Sequence, residues 1–500
     1  MARRLILAID QGSTNSKAVL FDETGRVVGE GSRALSTRFP QPGWVEQYAK
    51  EIWSSVVGAA SAAVAGVDPA EVVAIGVTNQ RESAVIWDRR TGEPLGPCVT
   101  WQCRRTSPFC DELRKAGHGP LIEQVTGLGI DPLFSGSKMR WLLDATPNGA
   151  ARAAAGEICL GTVDSWLLWK LTGGKVHATD SSNASRTQLL DIKTGQWSPQ
   201  LLEVFGVPAA ALPEVRPSDS LFGEAVAADF PIRAPITGVA GDSHAAMFGH
   251  AAFEPGVVKA TFGTGSSLMT LAADVSRGVS TGLSGTVAWR LGDQLTQALE
   301  GNIASTGATL EWVGRMLGVS EDPGRAAANM AMAPDSEGVF FVPAFAGLGA
   351  PHWDDQARGL ICGLTRGSTA IHIARAALES IAYQVADVFD AMETAAGATL
   401  AELRADGGAS RNDVLMQFQA DIIGRPVVRD RSADLSARGV ACMAGLGAGV
   451  WTLDAVRALP RAVDRFAPKM PRAEAVRRRE AWRMAIARTK LRAPPEESAL

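Results

Sequence analysis

Hydrophobic runs along the chain alternate with short polar turns. The segments LILAI (5–9) and KAVLF (17–21) flank a polar turn, which predicts a hairpin with a loop at Gln11–Ser16. The runs VVAIGV (72–77) and AVIWD (84–88) predict further strands of the same sheet. The first part of the chain therefore opens with a strand hairpin that continues into a larger sheet.

The same order of elements begins again near the middle of the chain. VVKATFGTGSSLMTL (257–271) is an apolar run, a Gly/Thr/Ser turn and a second apolar run. A long amphipathic helix is predicted at 371–395, and a strand, a glycine turn and a helix at 403–423. Two halves that open with similar hairpins predict an α/β architecture with a duplicated core. The boundary is expected near Gly249, which gives domains of residues 1–248 and 249–500.

Composition excludes several classes of protein. A chain of 500 residues that is 46% hydrophobic can bury a large core in at least two domains. Its 49 basic and 53 acidic residues give a net charge of −4, so neither nucleic acid nor a membrane surface is expected as a partner. The six cysteines include no C-x-x-C pair, and no apolar stretch reaches the roughly 18 residues of a membrane span. These features predict a reduced, cytoplasmic protein.

Three glycine-rich turns carry the donors that phosphate oxygens need. In DQGSTNSK (10–17) a glycine permits close approach of the backbone, polar side chains supply donors and a lysine supplies charge. FGTGS (262–266) repeats this chemistry, and GGAS (407–410) opens a helix whose N-terminal amides could hold a nucleotide. The candidate phosphate contacts are Gly12, Ser13, Thr14, Asn15, Lys17, Gly263 and Thr264. No P-loop or Rossmann glycine motif is present, so those enzyme classes are disfavoured.

A long, ordered series of motifs resembles the FGGY carbohydrate kinases from about residue 5 to beyond residue 460. The motifs are AIDQGSTNSKAVLFD, FPQPGWVEQ, GVTNQRES, WQCRR, GTVDSWLLWKLTGG, TDSSNASRTQL, GVAGD, FGTG, VPAFAGLGAPHWDDQARG and GLICGLTRGSTAIHIARAALES. The resemblance implies a two-domain, actin-like and Hsp70-like (ribonuclease H-like) ATPase fold. In that fold the two domains close over ATP and a sugar or polyol.

The resemblance also implies roles for individual residues. Asp242 in GVAGD matches the catalytic base of the family, although an Asp before an apolar helix is also a favoured N-cap. Asp10, together with Asp242, is implied to hold Mg²⁺ beside the transferring phosphate. Contacts with the adenosine part of ATP carry over onto Gly307, Glu311, Gly408 and Asn412.

The implied substrate residues agree only in part with the family pattern. Arg81, Glu82 and Trp101 match, and a surface ion pair is the alternative interpretation of the first two. Four positions differ from the glycerol-binding pattern, in which a tyrosine, two glutamines and a phenylalanine stand where this chain has Leu133, Ser243, His244 and Ser267. The loss of the two rings predicts a wider pocket, and the changed polar groups predict hydrogen bonds to different hydroxyls of the substrate.

Two interpretations of His244 remain open from the sequence. Its ring could donate to a substrate oxygen that glycerol lacks. Alternatively, it could lie on the buried face of the helix that starts at Asp242, held by a backbone carbonyl.

The resulting functional hypothesis is an ATP- and Mg²⁺-dependent kinase that acts on a primary hydroxyl of a small polyol. Glycerol is the first substrate expected, and a longer polyol or a keto-sugar is the alternative. An actin-like nucleotide switch without a substrate pocket is a third possibility, and the kinase is expected to form a homo-oligomer, either a dimer or a tetramer. The basic stretch AVRRREAWRMAIARTKLRAPPEES (475–498) is interpreted as a solvated helix face rather than a nucleic-acid site.

Overall fold

The chain opens with an antiparallel hairpin formed by β1 (Leu5–Gln11) and β2 (Asn15–Asp22). Residues 5–9 have no exposed surface, so the apolar run of β1 is a core strand. The turn is shorter than the predicted Gln11–Ser16 loop, because Gln11 pairs with Ser16 as the last rung of the ladder. Both polar side chains are buried, and Ser16 Oγ lies 2.7 Å from Ser55 Oγ. Polar residues therefore continue the strands where hydrogen-bond partners are available.

The structure, a computed structural model, describes residues 3–319, 321–331, 333–432 and 434–491. The remaining strands of the first half are β3 (Val27–Ala34), β4 (Glu46–Gln47), β5 (Val72–Asn79), β6 (Ala84–Asp88), β7 (Cys98–Val99), β8 (Ile158–Thr162), β9 (Ala178–Asp180), β10 (Leu190–Asp191), β11 (Gln196–Trp197), β12 (Glu214–Arg216), β13 (Gly223–Glu224) and β14 (Pro235–Gly241). Its helices are α1 (Ala49–Ala63), α2 (Ser107–Lys115), α3 (Gly119–Thr126), α4 (Ser135–Asp144), α5 (Gly149–Ala154), α6 (Val163–Leu171), α7 (Ser181–Ala184), α8 (Pro199–Phe205) and α9 (Asp242–Gly249).

The second half has the same mixed composition of strands and helices. Its strands are β15 (Val257–Phe262), β16 (Ser266–Leu271), β17 (Ser284–Leu291), β18 (Gln294–Ile303), β19 (Phe340–Val342), β20 (Leu360–Cys362), β21 (Glu402–Asp406), β22 (Val427–Asp430) and β23 (Val463–Phe466). Its helices are α10 (Gly307–Met316), α11 (Pro323–Met330), α12 (Ala370–Ala396), α13 (Asp413–Ile423), α14 (Leu435–Gly447), α15 (Leu453–Ala458) and α16 (Arg472–Thr489). Short 3-10 helices lie at Pro69–Glu71, Ala209–Ala211, Val279–Thr281 and Gly408–Arg411.

The two large sheets repeat one topology, which confirms the predicted duplicated core. In the first, the order is β13-β14-β5-β1-β2-β3, and β1 is antiparallel to β2 but parallel to β5. In the second, the order is β17-β18-β16-β15-β21-β22-β23, and β15 is antiparallel to β16 but parallel to β21. A hairpin followed by parallel crossover strands therefore builds each half, as expected of an actin-like fold.

The prediction that β6 belongs to the sheet of β1 is wrong. Strand β6 lies in a separate four-stranded sheet of order β4-β7-β6-β8. The chain leaves the first sheet at Gln80 and turns through Glu82, whose φ of 59° is a left-handed conformation. Ala84 then pairs with Val99 and Thr162. The apolar pattern predicted a strand correctly, but the intervening turn decides which sheet the strand joins.

Helices α9 and α14 pack against each other between the two halves. Helix α14 comes from the second half, yet it also contacts β14, β5 and β1 of the first. The contact depends on small residues, because a Cβ added to Gly439 would lie 1.7 Å from the backbone oxygen of Ala245. The same crossing places Gly249 against the backbone of Leu435. The two helices thus approach at backbone distance and join the halves beneath the cleft.

Replacing Gly439 with alanine should destabilise the protein by about 1–3 kcal/mol, since a methyl group forced into this crossing must push the helices apart. Urea unfolding followed by circular dichroism measures the change. Gly129→Ala is the matched control, because an added Cβ there has no neighbour within 4 Å. Equal stability of the two variants would contradict the close-packing argument.

The C-terminal basic stretch forms most of α16, and one face of this helix packs onto the second core. Trp482, Ala485 and Ile486 are buried in that cluster, and Arg479 donates to Asp390. The predicted solvated face is therefore only one side of the helix, and residues 492–498 of the stretch lie outside the described residues. Within the described ranges, no helix has the length and apolarity needed to cross a membrane. All six cysteines lie in those ranges as free thiols.

Candidate active site

The candidate site lies where the carboxyl ends of the central strands of both sheets meet. Asp10 stands near the end of β1, and Asp242 directly follows β14. The turn after β15 carries Gly263 and Thr264, and the strand beside it, β21, ends before Gly407. Ligands of open α/β sheets bind at this edge of the strands. The duplicated topology therefore places two matched sets of polar residues around one cleft.

Three carboxylates and one lysine gather at the first turn. Burial, together with the nearby carboxylates of Asp242 and Asp434, raises the pKa of Asp10 to about 7, and the charge of Lys17 opposes the rise. Lys17 Nζ forms an ion pair with Asp434, which precedes α14 of the second half. Carboxylates that lie close enough to raise the pKa of Asp10 are suited to a divalent cation, which removes the repulsion.

The donor set fits Mg²⁺ bound jointly with phosphate rather than a complete protein cage. Within the described ranges, no three His, Cys, Asp or Glu side chains stand close enough to hold a metal ion alone. Mg²⁺ is usually held by one or two carboxylates and completes its shell with water and substrate phosphates. Asp10 and Asp242, the two predicted ligands, would meet that number.

Asp242 is held in place on one side and open on the other. Its Oδ1 accepts hydrogen bonds from Arg81 Nε at 3.0 Å and from the backbone N–H of Ser243 at 2.6 Å, while 40% of its side chain is exposed to the cleft. Enclosure by the protein raises the pKa of this carboxyl, and Arg81 opposes the rise. The N-cap residue of α9 is Gly241, so the carboxylate of Asp242 does not serve as the N-cap of this helix.

The two charged residues taken from TNQRES are buried, which rules out the surface ion-pair interpretation. Arg81 and Glu82 are 7% and 5% exposed. Arg81 Nη2 lies 2.7 Å from Glu300 Oε1, and Arg186 Nε donates to Glu82 Oε1 at 2.7 Å. Arg186 Nη2 lies 2.8 Å from the other oxygen of Glu300. We call Arg81, Glu82, Arg186 and Glu300 the Glu300 network.

Backbone geometry fixes the position of the network at two points. Glu82 adopts its left-handed φ of 59°, a strained conformation for a residue with a side chain. Gly241 packs against the stem of Arg81, because an added Cβ would lie 2.6 Å from its Cγ and Cδ. The strained turn and the close glycine together aim Arg81 at Asp242.

Two serines link the network to the cleft. Ser267 Oγ donates to Glu300 Oε1 at 2.9 Å, and Ser243 Oγ donates to Ser267 Oγ at 3.1 Å. Leu133 and Ser267 are partly exposed, and Ser243 is 9% exposed. The structure thus brings Ser243 and Ser267 together at the positions where the family pattern has a glutamine and a phenylalanine.

Trp101 connects the candidate substrate residues to the first phosphate turn. Its ring is 37% exposed, and its Nε1 donates to Ser13 Oγ at 3.2 Å. Its backbone N–H donates to Ser83 Oγ, one residue after Glu82. We call Arg81, Glu82, Trp101, Leu133, Ser243 and Ser267 the acceptor pocket, and it borders the turn of residues 12–14.

His244 lies in the interior and presents no surface to the cleft. It is 0% exposed, and its Nε2 lies 3.0 Å from Thr286 Oγ1, so its partner is a hydroxyl rather than the backbone carbonyl considered above. Burial holds the pKa of this histidine well below its ordinary value, and the charge of Arg81 lowers it further. A neutral, enclosed ring supports α9 from behind Asp242.

The two phosphate turns have similar backbones but different surroundings. In the first, the N–H of Gly12 donates to Asn15 O at 2.9 Å, and Thr14 is exposed at the tip. In the second, the N–H of Gly263 donates to Gly265 O at 2.9 Å, and Thr264 is exposed. The second turn is tied to α10, because the N–H of Gly307 donates to Gly263 O.

The candidate adenosine residues surround the second turn. Gly307 begins α10, and Glu311, one turn later, forms an ion pair with Arg315. Gly408 begins a 3-10 helix, and an added Cβ there would meet nothing within 4 Å. Asn412 caps α13 by accepting from the N–H of Leu415 at 3.0 Å. The expected helix after GGAS therefore starts as one 3-10 turn before α13.

Sequence reasoning missed Glu300, Arg186, Asp434 and Lys138. Lys138 has no exposed surface, its Nζ donates to the backbone oxygens of Leu133 and Phe134, and burial lowers its pKa to about 8. A signal existed for Glu300, because a single acid within the strand-like run QALEGNI is costly to bury without a partner. Nothing local marks Asp434, since its partner lies 417 residues away.

Both halves of the chain match one family in order. The FGGY family of carbohydrate kinases, N-terminal domain, matches residues 5–249, and its C-terminal domain matches residues 258–448. The chain is 48% identical to the glycerol kinase of Trichlorobacter lovleyi over 493 residues, covering 98% of this chain and 99% of that protein. It is 47% identical to the glycerol kinase of Chromobacterium violaceum over 492 residues, covering 97% and 98%.

A solved structure agrees with these sequence similarities. The crystal structure of Plasmodium falciparum glycerol kinase with ADP superimposes with a TM-score of 0.90 at 32% identity. The match covers 98% of this chain and 99% of that one. The whole two-domain arrangement, rather than one half, is therefore shared.

Proposed function

The chain belongs to the FGGY family of carbohydrate kinases and is an ATP-dependent kinase, and from this premise we propose that it phosphorylates a primary hydroxyl of a small polyol, with glycerol as the first substrate. The observation that carries the proposal is the bond from Arg81 to Asp242, which aims an open carboxylate at the acceptor pocket. The similarity to glycerol kinases over nearly the full chain favours glycerol.

Each candidate residue has a part in this reaction. Arg81 and Glu82 hold hydroxyls of the acceptor, and Trp101 covers its carbon chain. Asp242 accepts the proton of the reacting hydroxyl, a general-base role that contributes roughly 10²–10⁴ in rate. The exposed turns at Thr14 and Thr264 supply donors to the phosphate oxygens from opposite sides. The bonds made and broken are the new O–P bond of the acceptor and the β–γ bridge of ATP.

Asp10 and Asp242 are the proposed Mg²⁺ ligands. When bound, Mg²⁺ neutralises charge on the phosphate oxygens. Lys17 stays beside this position through its ion pair with Asp434. The adenosine part of ATP is proposed to contact Gly307, Glu311, Gly408 and Asn412, which lie around the second turn.

A longer polyol is the second candidate, and the serine pair favours a hydroxyl group, rather than a carbonyl, at the position beside Ser243. Glu300 is buried between two arginines that hold its pKa below the ordinary value, so its carboxylate only accepts hydrogen bonds. Ser267 must therefore donate to Glu300, and Ser243 must donate to Ser267. Each hydroxyl has one proton, so Ser243 Oγ is left with lone pairs only. A substrate hydroxyl at this position can donate to it, whereas a carbonyl oxygen cannot, so a keto-sugar would have to present one of its hydroxyl groups here.

The test is an ADP-release assay with purified protein, ATP and Mg²⁺, run on a panel of three- to seven-carbon polyols and ketoses. ADP should appear in step with added polyol, and glycerol should give the largest kcat/KM or be exceeded only by a longer polyol. ADP release that does not depend on any acceptor would indicate a nucleotide switch. Preference for a ketose over every polyol of the panel would contradict the proposal of a polyol substrate.

We also propose that the reaction takes place in the cytoplasm and that the protein acts as a homo-oligomer. ATP as substrate and six free thiols support the first proposal. The second rests on the resemblance alone, and light scattering at assay concentration tests whether the mass exceeds that of one 52.5 kDa chain.

A further inference from the structure

Glu300 joins residues of the acceptor pocket in the first half to a strand of the second half. It lies on β18 and has no exposed surface. Its carboxylate accepts from Ser267, and it pairs with Arg81 at 2.7 Å and with Arg186 at 2.8 Å. Arg81 and Arg186 come from the first half. One buried carboxylate therefore holds side chains from both sides of the cleft.

Stability alone is a poor explanation for this arrangement. Removing charges from water is costly, and buried ion pairs are often no more stabilising than apolar side chains of similar size. The network also leaves Nη1 of both Arg81 and Arg186 buried without a hydrogen-bond partner among the described residues. Glu300 Oε2 and Arg186 Nη2 likewise lie 2.8 Å apart as an ion pair without a hydrogen bond of good geometry. What the network does achieve is proximity, because each oxygen of Glu300 lies within ion-pair distance of one guanidinium group.

Two routes lead from Glu300 to residues that face the cleft. Through Arg81 it reaches Asp242, since the Nε of the same guanidinium donates to Asp242 Oδ1. Through Arg186 it reaches Glu82, whose Oε1 accepts from Arg186 Nε. Asp242 and Glu82 are thus oriented by opposite ends of one chain of contacts.

We propose that Glu300 is a positioning residue for the acceptor: it sets the orientation of Arg81 and, through Arg186, of Glu82, so that the pocket is complete only when β18 lies against the first half. The inference rests on the proposed function, because it assumes that these residues bind the acceptor. The inference predicts that loss of Glu300 raises KM for the acceptor and leaves KM for ATP unchanged. Within the described residues, Glu300 forms its hydrogen bond and ion pairs with Ser267, Arg81 and Arg186, and not with the phosphate turns or the candidate adenosine residues.

The experiment compares Glu300→Gln with Glu379→Gln in steady-state kinetics. Glutamine keeps the shape of Glu300 but replaces one carboxylate oxygen with an amide N–H₂. This group faces a guanidinium, so two hydrogen-bond donors meet and cannot bond to each other. Glu379 is the matched control, because it is a buried glutamate paired with Arg375 at 2.7 Å, on α12 and away from the acceptor pocket. Glu300→Asp is made as well, since it retains the charge if Glu300→Gln does not fold.

We expect Glu300→Gln to raise KM for the acceptor about tenfold or more while KM for ATP stays within about twofold. Glu300→Asp should give an intermediate rise, and Glu379→Gln should lower the melting temperature without changing either KM. An unchanged acceptor KM in the Glu300 variants would overturn the inference, as would a profile identical to that of Glu379→Gln.

The design separates this inference from the proposed function. Wild-type activity on the polyol panel tests the function before any variant is made. If the wild-type enzyme phosphorylates no polyol, the function is wrong. If it does so and Glu300 has no selective effect on the acceptor, only the positioning role is wrong.

Discussion

The Asp242→Asn enzyme should lose phosphoryl transfer by roughly 10²–10⁴ in kcat while its affinity for ATP changes little. Asparagine preserves the oxygen that accepts from Arg81 Nε and from the N–H of Ser243, so the local geometry is retained. Its amide cannot take the proton of the reacting hydroxyl. The loss therefore falls mainly on the chemical step, because the candidate adenosine residues lie around the other turn and Asp10 remains as the second proposed Mg²⁺ ligand.

Stopped-flow or quench-flow kinetics measure the rate of phosphoryl transfer, and isothermal titration calorimetry measures the affinity for ATP. Asp454→Asn is the matched control, because Asp454 is also an acid in the first turn of a helix but is exposed on α15. It should retain the wild-type rate. A near-normal kcat for Asp242→Asn would remove Asp242 from the role of base.

Local patterns were sufficient to predict most of the fold. Both hairpins, the helix at 371–395 and the element order at 403–423 follow from apolar runs and glycine turns, and the structure has them with small shifts of the ends. Sheet membership was not predictable in the same way. It depends on the direction of the chain after a turn, and at Glu82 that direction is set by a left-handed residue whose stabilising partner, Arg186, is 104 residues away.

The candidate site shows the same division between local and distant information. Residues in short motifs, such as Asp10, Arg81 and Asp242, were found because the family resemblance places them. Glu300 and Asp434 were missed, since their significance lies in partners that only folding brings near. His244 shows the converse, because a polar residue next to the base looks like a substrate contact until its burial is known.

The predicted widening of the acceptor pocket leads to the second large effect. If Leu133, Ser243 and Ser267 fit an acceptor longer than glycerol, the triple variant Leu133→Tyr, Ser243→Gln and Ser267→Phe should shift preference toward glycerol. The two rings would refill the space, and the amide would recover a hydroxyl contact worth about 0.5–1.5 kcal/mol. The phenylalanine would also remove the hydroxyl that donates to Glu300. The hydrogen bonds that link Ser243 to Ser267 and Ser267 to Glu300 would then be lost.

The quantity to follow is the ratio of kcat/KM for glycerol to that for the best longer polyol, and we expect a rise of roughly 10–200-fold. Ser243 and Ser267 are hydrogen-bonded to each other, and Leu133 is proposed to line the same pocket, so the triple variant is a better test than any single change. A control protein carries the same three exchanges at exposed positions, Leu221→Tyr, Ser61→Gln and Ser280→Phe. Its ratio should equal that of the wild type, because none of those positions belongs to the acceptor pocket. A wild-type enzyme already most active on glycerol, together with an unchanged ratio in the triple variant, would show that the serine pair does not select the acceptor.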